Sequence, residues 1–363
     1  MKILLTTGIY PPDIGGPATY VPQLAADLNA SGDKAVIVTL AETNGLVVDK
    51  NLRIRKIKRS YPLPFRIFIT SLVIYWELRK CDALFSNGLF LEGAIALTMA
   101  KKKNSVVKIV GDPVWEKLRN RGLTDLGLTD YLASEFNSKK TLERKIYNWS
   151  WSRFKYRTSP SLELCDMVNR NLNLHDCVHI PNGVEVLPPE SSSKSFDLIT
   201  VSRLVNWKNL DIVIKVASKL KLRLLIVGSG PDERKLKDLA GSLGCDSVFT
   251  GQVTPESARE LTSQAKFFIQ ISDYEGLSFS LLEAMSLGLV PVVSNVKGNT
   301  AVISNLENGI VVDIDEVQLT KAIENLLEDN KLAEKLSRNA LTTVESHYNG
   351  KRQRKLMIDL LKK

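Results

Sequence analysis

Two glutamates with seven residues between them, Glu275 and Glu283, stand in the stretch EGLSFSLLE, where an apolar strand-like run gives way to a helix-period segment. A carboxylate accepts hydrogen bonds from hydroxyl groups. The first turn of a helix offers unpaired backbone N–H groups and a partial positive charge. Gly276 and Ser278 are small enough to let a ligand approach that backbone closely, with Leu277 between them. Glu283, about one turn into the helix, is placed to hold a diol such as a ribose. The spacing alone is also that of two ordinary acids near a helix start, where acids are favoured for the dipole alone.

Two cations form a second constellation. Arg203 and Lys208 lie in SRLVNWKN, directly after another apolar run. Ligands of open α/β sheets bind beyond the carboxyl ends of strands. There an arginine grips two oxygens of a phosphate and a lysine adds a point charge. Seen in isolation, the pair also reads as loop cations in solvent.

Glycine-bearing turns are weaker signals. Gly15 and Gly16 precede a helix-period segment, where backbone amides can face phosphate oxygens. Gly228 and Gly230 read better as a plain tight turn. Asp112, in VKIVGDPVWEK, ends a strand-like run, so it either reaches a sugar hydroxyl or acceptor nucleophile, or opens a turn with Pro113. The three histidines, His175, His179 and His347, lack metal-ligand spacing. No phosphate loop, serine elbow or dinucleotide fingerprint is present. Neither a metal nor any other cofactor is therefore expected.

These residues need elements to hold them. Short apolar runs alternate with helix-period segments, the pattern of parallel α/β units. Strands are predicted over 2–6, 35–40, 83–85, 106–110 and 155–158, then over 197–201, 223–227, 247–250, 267–271 and 290–293. Helices are predicted over 19–30 and 65–79, then over 211–220, 233–243, 256–264 and 280–287. Two doubly wound sheets follow. LPPESSSK, over 187–194, has a linker's composition. Phe65, Phe68, Ile69, Leu72, Val73 and Trp76 keep helical spacing, with Arg66, Arg79 and Lys80 at the flanks. A helix packed on the sheet is the preferred reading, a helix lying on a membrane surface the other.

The chain has 363 residues and 44% hydrophobic content, enough for two cored domains. Its net charge is +9, and Lys and Arg outnumber Asp and Glu by 26 to 19 up to residue 190 but only by 23 to 21 beyond. The basic runs 53–59 and 101–103 read as solvated faces or as a contact for anionic lipid; nucleic acid is not expected. The apolar start is too short for a signal peptide, and no run reaches the length of a membrane span. Cys81, Cys165, Cys177 and Cys245 form no C-x-x-C pair and read as buried thiols of a reducing compartment.

Taken together the segments PPDIGGPATY, IPNGVE, SRLVNWKN, IVGSGP, FTGQV and EGLSFSLLEAMSLGLVPVV resemble retaining glycosyltransferase family 4, in that family's order and over nearly the whole chain. The resemblance implies an α/β GT-B architecture, two Rossmann-like doubly wound parallel-sheet domains facing across a cleft. Residues 1–188 would bind the acceptor, 189–345 the nucleotide-sugar, and 346–363 would form a helix returning to the first domain. Arg203 and Lys208 would neutralise the donor diphosphate. Glu283 would bind its ribose, and Glu275, with the amides of Gly276, Leu277 and Ser278, its sugar. Gly15 and Gly16 would approach the distal phosphate and acceptor, and Gln252 and Val253 would border the base. Asp112 stands where the family pattern carries a histidine, and either replaces it or leaves that role to another residue. The implied activity is metal-independent transfer, with retention, from a UDP- or GDP-sugar to a glycan or lipid-linked acceptor. A cytoplasmic protein, peripheral at the inner face of a membrane, is expected. A nucleotide-sugar epimerase and a non-catalytic nucleotide-sugar-binding module are the alternatives.

Overall fold

The computed structural model describes residues 1–49, 52–100, 104–124, 126–134, 142–186 and 194–363. The basic run 101–103 and nearly all of the segment read as a linker lie outside the described residues. The chain forms two compact units, Met1–Pro181 with Gln353–Lys363, and Asn182–Arg352.

The first unit runs β1 (Lys2–Thr7), α1 (Gly16–Ala30), β2 (Lys34–Ala41), β3 (Gly45–Asp49), β4 (Leu52–Lys58), α2 (Leu63–Leu78), β5 (Ala83–Asn87), α3 (Phe90–Met99), β6 (Asn104–Lys108), α4 (Pro113–Asn120), α5 (Leu128–Ala133), α6 (Leu142–Ser152), β7 (Tyr156–Ser159), α7 (Leu162–Leu172) and β8 (Cys177–His179). Its sheet has the order β3-β4-β2-β1-β5-β6-β7-β8. All neighbours are parallel except β3 and β4. Helices on both faces explain why successive residues Ile3, Leu4 and Leu5 of β1 are all fully buried. The strand order reverses between β1 and β5, where an added Cβ on Gly88 would come 2.9 Å from the Gly8 amide nitrogen.

Two sequence expectations are corrected here. The basic run 53–59 is largely strand β4, which buries Ile54 and Ile57 beside β2. Helix α2 turns its aromatic stripe outward: Phe65, Phe68 and Trp76 are exposed, whereas Thr70, Ser71, Ile74, Glu77 and Leu78 are buried. The inward face combines fully buried Ile74 and Leu78 with an ion pair. Glu77 Oε1 accepts from Arg53 Nη2 at 3.2 Å and Arg55 Nε at 3.0 Å, and this double pairing holds the Glu77 face against β4.

The second unit runs β9 (Phe196–Val201), a 3-10 turn (Asn206–Lys208), α8 (Leu210–Lys219), β10 (Leu224–Val227), α9 (Glu233–Ser242), β11 (Ser247–Phe249), α10 (Pro255–Ser263), β12 (Ala265–Gln270), α11 (Phe279–Ser286), β13 (Val290–Ser294), α12 (Lys297–Thr300), β14 (Ile310–Val312), α13 (Glu316–Glu328), α14 (Asn330–His347) and the start of α15 (Gly350–Lys362). Its all-parallel sheet has the order β11-β10-β9-β12-β13-β14. Alternation along the strands feeds two cores. Leu198, Ile226, Ile269 and Val292 pack under α8, α9 and α13, while Ile199, Leu225, Phe268 and Val293 pack under α11 and α14. The strand order reverses between β9 and β12, so a crevice is expected beyond their carboxyl ends.

The rest of α15 belongs to the first unit, where Arg354 donates to Asp27 at 2.6 Å and Gln23 at 2.9 Å on α1.

Candidate functional site

The loops after β9 and β12 meet at this switch point of the second sheet. After β9, Arg203 is exposed and, among the described residues, has no carboxylate partner. Leu204 and Val205 anchor the loop by burial, and the following 3-10 turn ends on Lys208. Asn209, with φ 49°, then adopts the left-handed conformation that asparagine tolerates. Its side-chain amide donates to Ile271 O at 2.9 Å and Asp273 Oδ1 at 2.6 Å, and the Asp273 amide donates to Trp207 O at 2.9 Å. Three bonds thus stitch the two loops together.

The stitching brings Lys208 Nζ to 2.5 Å from Glu275 Oε1, an oxygen that also accepts from Ser272 Oγ at 2.7 Å. Both side chains are mostly buried, at 17% and 11% exposure, so the pair is screened less than a surface ion pair. Behind it stands a polar network. Ser278 caps α11 by accepting from Leu281 N at 3.3 Å, and its hydroxyl donates to Gln270 Oε1 at 2.8 Å. Gln270 Nε2 donates to Asn299 Oδ1 at 2.8 Å, and Asn299 reaches Ser294, whose hydroxyl donates to Ser272 O at 2.6 Å. Asn182 donates to Leu277 O at 3.0 Å. Among the described residues, no protein acceptor takes the amides of Gly276, Leu277 and Ser278. Fixed in this way at a helix start, they form a positive end suited to an oxygen-rich ligand.

Glu283 lies just over one turn into α11. Burial pushes its carboxyl up to about 7, opposed by the Arg259 guanidinium from α10. Arg259 Nη1 also donates to Glu185 O at 3.3 Å. A carboxyl poised near neutrality can both accept and donate hydrogen bonds.

Gln252 and Val253 follow β11, which is two strands from β9. The Gly228 amide donates to Gly251 O at 3.0 Å, and the Ser202 amide to Val227 O at 3.1 Å. Added Cβ atoms on Gly228 and Gly230 would lie 2.0 Å from Ser202 O and 2.2 Å from Leu204 O. That turn therefore seats the loop bearing Arg203 against its neighbour.

Gly15, Gly16 and Asp112 belong to the first unit. Gly15, with φ 151°, precedes α1, and Gly16 is that helix's first residue. Asp112 is fully buried at the start of α4. Its Oδ1 accepts from Val114 N and Trp115 N at 3.0 Å and from Arg144 Nη2 at 2.9 Å, and Oδ2 lies 2.6 Å from Arg144. The geometry favours the turn-forming reading of Asp112-Pro113 over contact with a sugar, because cap and ion pair already engage the carboxylate.

The sequence reading missed Asn209, Arg259, Gln270, Ser272, Gly298 and Asn299. Asn209 stood inside SRLVNWKN; the others gave no local signal. Among the described residues, no cluster of three or more His, Cys, Asp or Glu is arranged to hold a metal ion. No helix among them is long and apolar enough to cross a membrane.

Residues 188–343 match the family model described as Glycosyl transferases group 1. An uncharacterized glycosyltransferase of Methanocaldococcus jannaschii is 27% identical, covering 97% of this chain and 96% of its own length. The GDP-mannose-dependent monoacylated alpha-(1-6)-phosphatidylinositol monomannoside mannosyltransferase of Corynebacterium glutamicum is 25% identical, over 90% of this chain and 89% of its own. Among solved structures, sucrose-phosphate synthase from Thermosynechococcus elongatus superposes with TM-score 0.80 at 19% identity, covering 99% of this chain and 98% of its own. Anabaena HepE in complex with UDP-glucose gives 0.77 at 16%, covering 100% and 99%.

Proposed function

We propose that this chain, a group 1 glycosyltransferase of the GT-B type, transfers a hexosyl group from a UDP- or GDP-sugar to a glycan or lipid-linked acceptor, with retention and without a metal. The observation that carries the reading is the Lys208–Glu275 pair at the start of α11, at the reversal point of the second sheet. The names of similar proteins support the donor class: one uses GDP-mannose, and another is seen with UDP-glucose. A relative from Xanthomonas oryzae, 31% identical over 26% of this chain, acts on a cellobiosyl-diphosphopolyprenol and supports a lipid-linked acceptor.

In this reading Arg203 and Lys208 face the donor diphosphate, Glu283 holds the ribose, and Glu275 with the amides of Gly276, Leu277 and Ser278 holds the sugar. Gln252 and Val253 border the base. Cleaving the sugar–phosphate bond builds negative charge on the leaving oxygen, and fixed cations stabilise it without reorganisation. Attack from the departing side lets the leaving phosphate take the acceptor's proton, which accounts for retention. Gly15 and Gly16, at the start of α1, would approach the donor's distal phosphate and the acceptor.

The outward stripe of α2 supports a peripheral contact with anionic membrane. Phe65, Phe68 and Trp76 are exposed, with Arg66 and Arg79 on the same helix end regions and Arg79 stacked 5.4 Å from the Trp76 ring.

The test is incubation of the purified protein with a panel of UDP- and GDP-sugars and candidate acceptors, reading nucleotide release and product anomer. One donor should give acceptor-dependent release of UDP or GDP and an α-linked product. Release independent of acceptor, or an inverted product, overturns the reading.

A further inference from the structure

Cys165 and Cys177 share no sequence motif, yet the fold places their sulfurs 3.2 Å apart. Cys165 sits on the inner face of α7, 4% exposed beside Leu164 and Val168. Cys177 opens β8, the edge strand of the first sheet, and is partly accessible. The surrounding framework fixes both. The Cys177 amide donates to Asn169 Oδ1 of α7 at 3.1 Å, and Cys177 pairs with Arg157 across the β7–β8 ladder. The Ser159 hydroxyl lies 3.7 Å from Cys177 Sγ.

We propose that Cys165 and Cys177 are a modification site: they form a reversible intramolecular disulfide by exchange with a low-molecular-weight disulfide, tying α7 to edge strand β8. The order of events follows from the environment. Interaction with Cys165, then with Ser159 and the Arg157 guanidinium, holds the Cys177 thiol below its ordinary value against the opposing effect of burial. Cys165, interacting with that sulfur and buried, is pushed up. Cys177, the more accessible of the two sulfurs and the one held lower, is therefore the one that attacks first.

Cys177 Sγ attacks one sulfur of the small disulfide, breaking its S–S bond and expelling one small thiolate. Cys165 then gives up its proton to that thiolate and attacks Cys177 Sγ, and the mixed disulfide breaks to release the second small thiolate, which takes up from solvent the proton that Cys177 lost on ionising. Two protein thiols are oxidised, one small disulfide is reduced to two thiols, and these carry both protons. The two sulfurs need close only from 3.2 Å to about 2.05 Å. Arg157 stays engaged throughout, since it also donates to Phe154 O at 2.7 Å and to Asp176.

The experiment treats the full-length native protein with excess oxidised glutathione, then unfolds it in guanidinium containing N-ethylmaleimide so that buried thiols are blocked as well, and reads intact mass and peptide maps. The expected result is a loss of two hydrogens, a cross-linked Cys165–Cys177 peptide pair, and reversal by dithiothreitol. Cys81 and Cys245 are internal references and remain alkylated. In Cys165→Ser the second step has no nucleophile, so glutathione should stay attached to Cys177. Alkylation of Cys165 and Cys177 in most wild-type molecules, or a glutathione adduct persisting on wild-type Cys177 without a cross-link, overturns the proposal.

Discussion

Gly298 lies so close beneath Glu275 that a Cβ added to it would come 2.0 Å from the Glu275 carbonyl oxygen and 2.6 Å from that of Gly276. Both neighbours are backbone, so neither can swing aside as a flexible side chain would. The loop bearing Glu275 is therefore seated on α12 by the absence of a side chain. Gly298→Ala should push that loop outward and lengthen the Lys208–Glu275 contact. We expect the variant to fold, with loss of stability of about 1–3 kcal/mol and weakened binding of nucleotide-sugar. Calorimetric titration with UDP and GDP checks this, and unchanged affinity would mean that the loop position does not matter for the ligand.

Lys208 and Glu275 neutralise one another in the structure, so under the proposed function a diphosphate would have to draw the ammonium away from the carboxylate for both to act on a donor. Lys208→Ala should reduce kcat by roughly 10²–10³ in a protein that still folds, with a lower melting temperature because Glu275 is left without its cation. Glu275→Gln keeps the shape and loses the charge. It should weaken selection among donor sugars more than nucleotide binding itself. Near-normal turnover of purified Lys208→Ala would remove this site from the chemistry.

What the sequence disclosed, and what it hid, divides along physical lines. Loops after strands were legible because Arg203, Lys208 and Glu275 are unlike the apolar runs preceding them, and a parallel sheet gives such loops one common edge. Strand β4 was hidden because Arg53, Arg55, Lys56 and Lys58 mask the buried Ile54 and Ile57. The facing of α2 was misread because periodicity locates an apolar stripe but not what covers it. There, the inward face pairs Glu77 with two arginines of strand β4, a partner far away in the pattern. The Gln270–Asn299–Ser294 network was invisible for a related reason: its members come from separate elements and meet only through the sheet. Asp112 could be read two ways until Arg144, 32 positions on, was found on its carboxylate.

That pair yields a prediction separating the two readings. Arg144 and Asp112 are 1% and 0% exposed, so removing one leaves an uncompensated buried charge. Asp112→Ala should cost about 3–5 kcal/mol of stability from the broken pair, with about 1 kcal/mol more from the lost helix cap. Asp112→Ala with Arg144→Met should recover part of that loss. Denaturant unfolding of the single and double variants measures it. A catalytic Asp112 would give the opposite profile, with stability nearly unchanged and turnover abolished.

Glu283 supplies a pH test. Its folded-state value is raised to about 7 from an ordinary 4.5, with burial the main cause. Between those values the folded chain keeps a proton that the unfolded chain has released, so stability must fall as pH rises through this window. Above about pH 7 both states are ionised, and the penalty, on the order of 3 kcal/mol, stays constant. Glu283→Gln cannot ionise and should escape it. Relative to wild type, the variant should be comparable in urea unfolding at pH 4 and distinctly more stable at pH 8. The same substitution should weaken UDP or GDP binding at pH 8, because an ionised carboxylate accepts from both ribose hydroxyls and an amide oxygen is the poorer acceptor. Parallel pH profiles for the two proteins would show that this carboxyl titrates at an ordinary value and is not buried in solution.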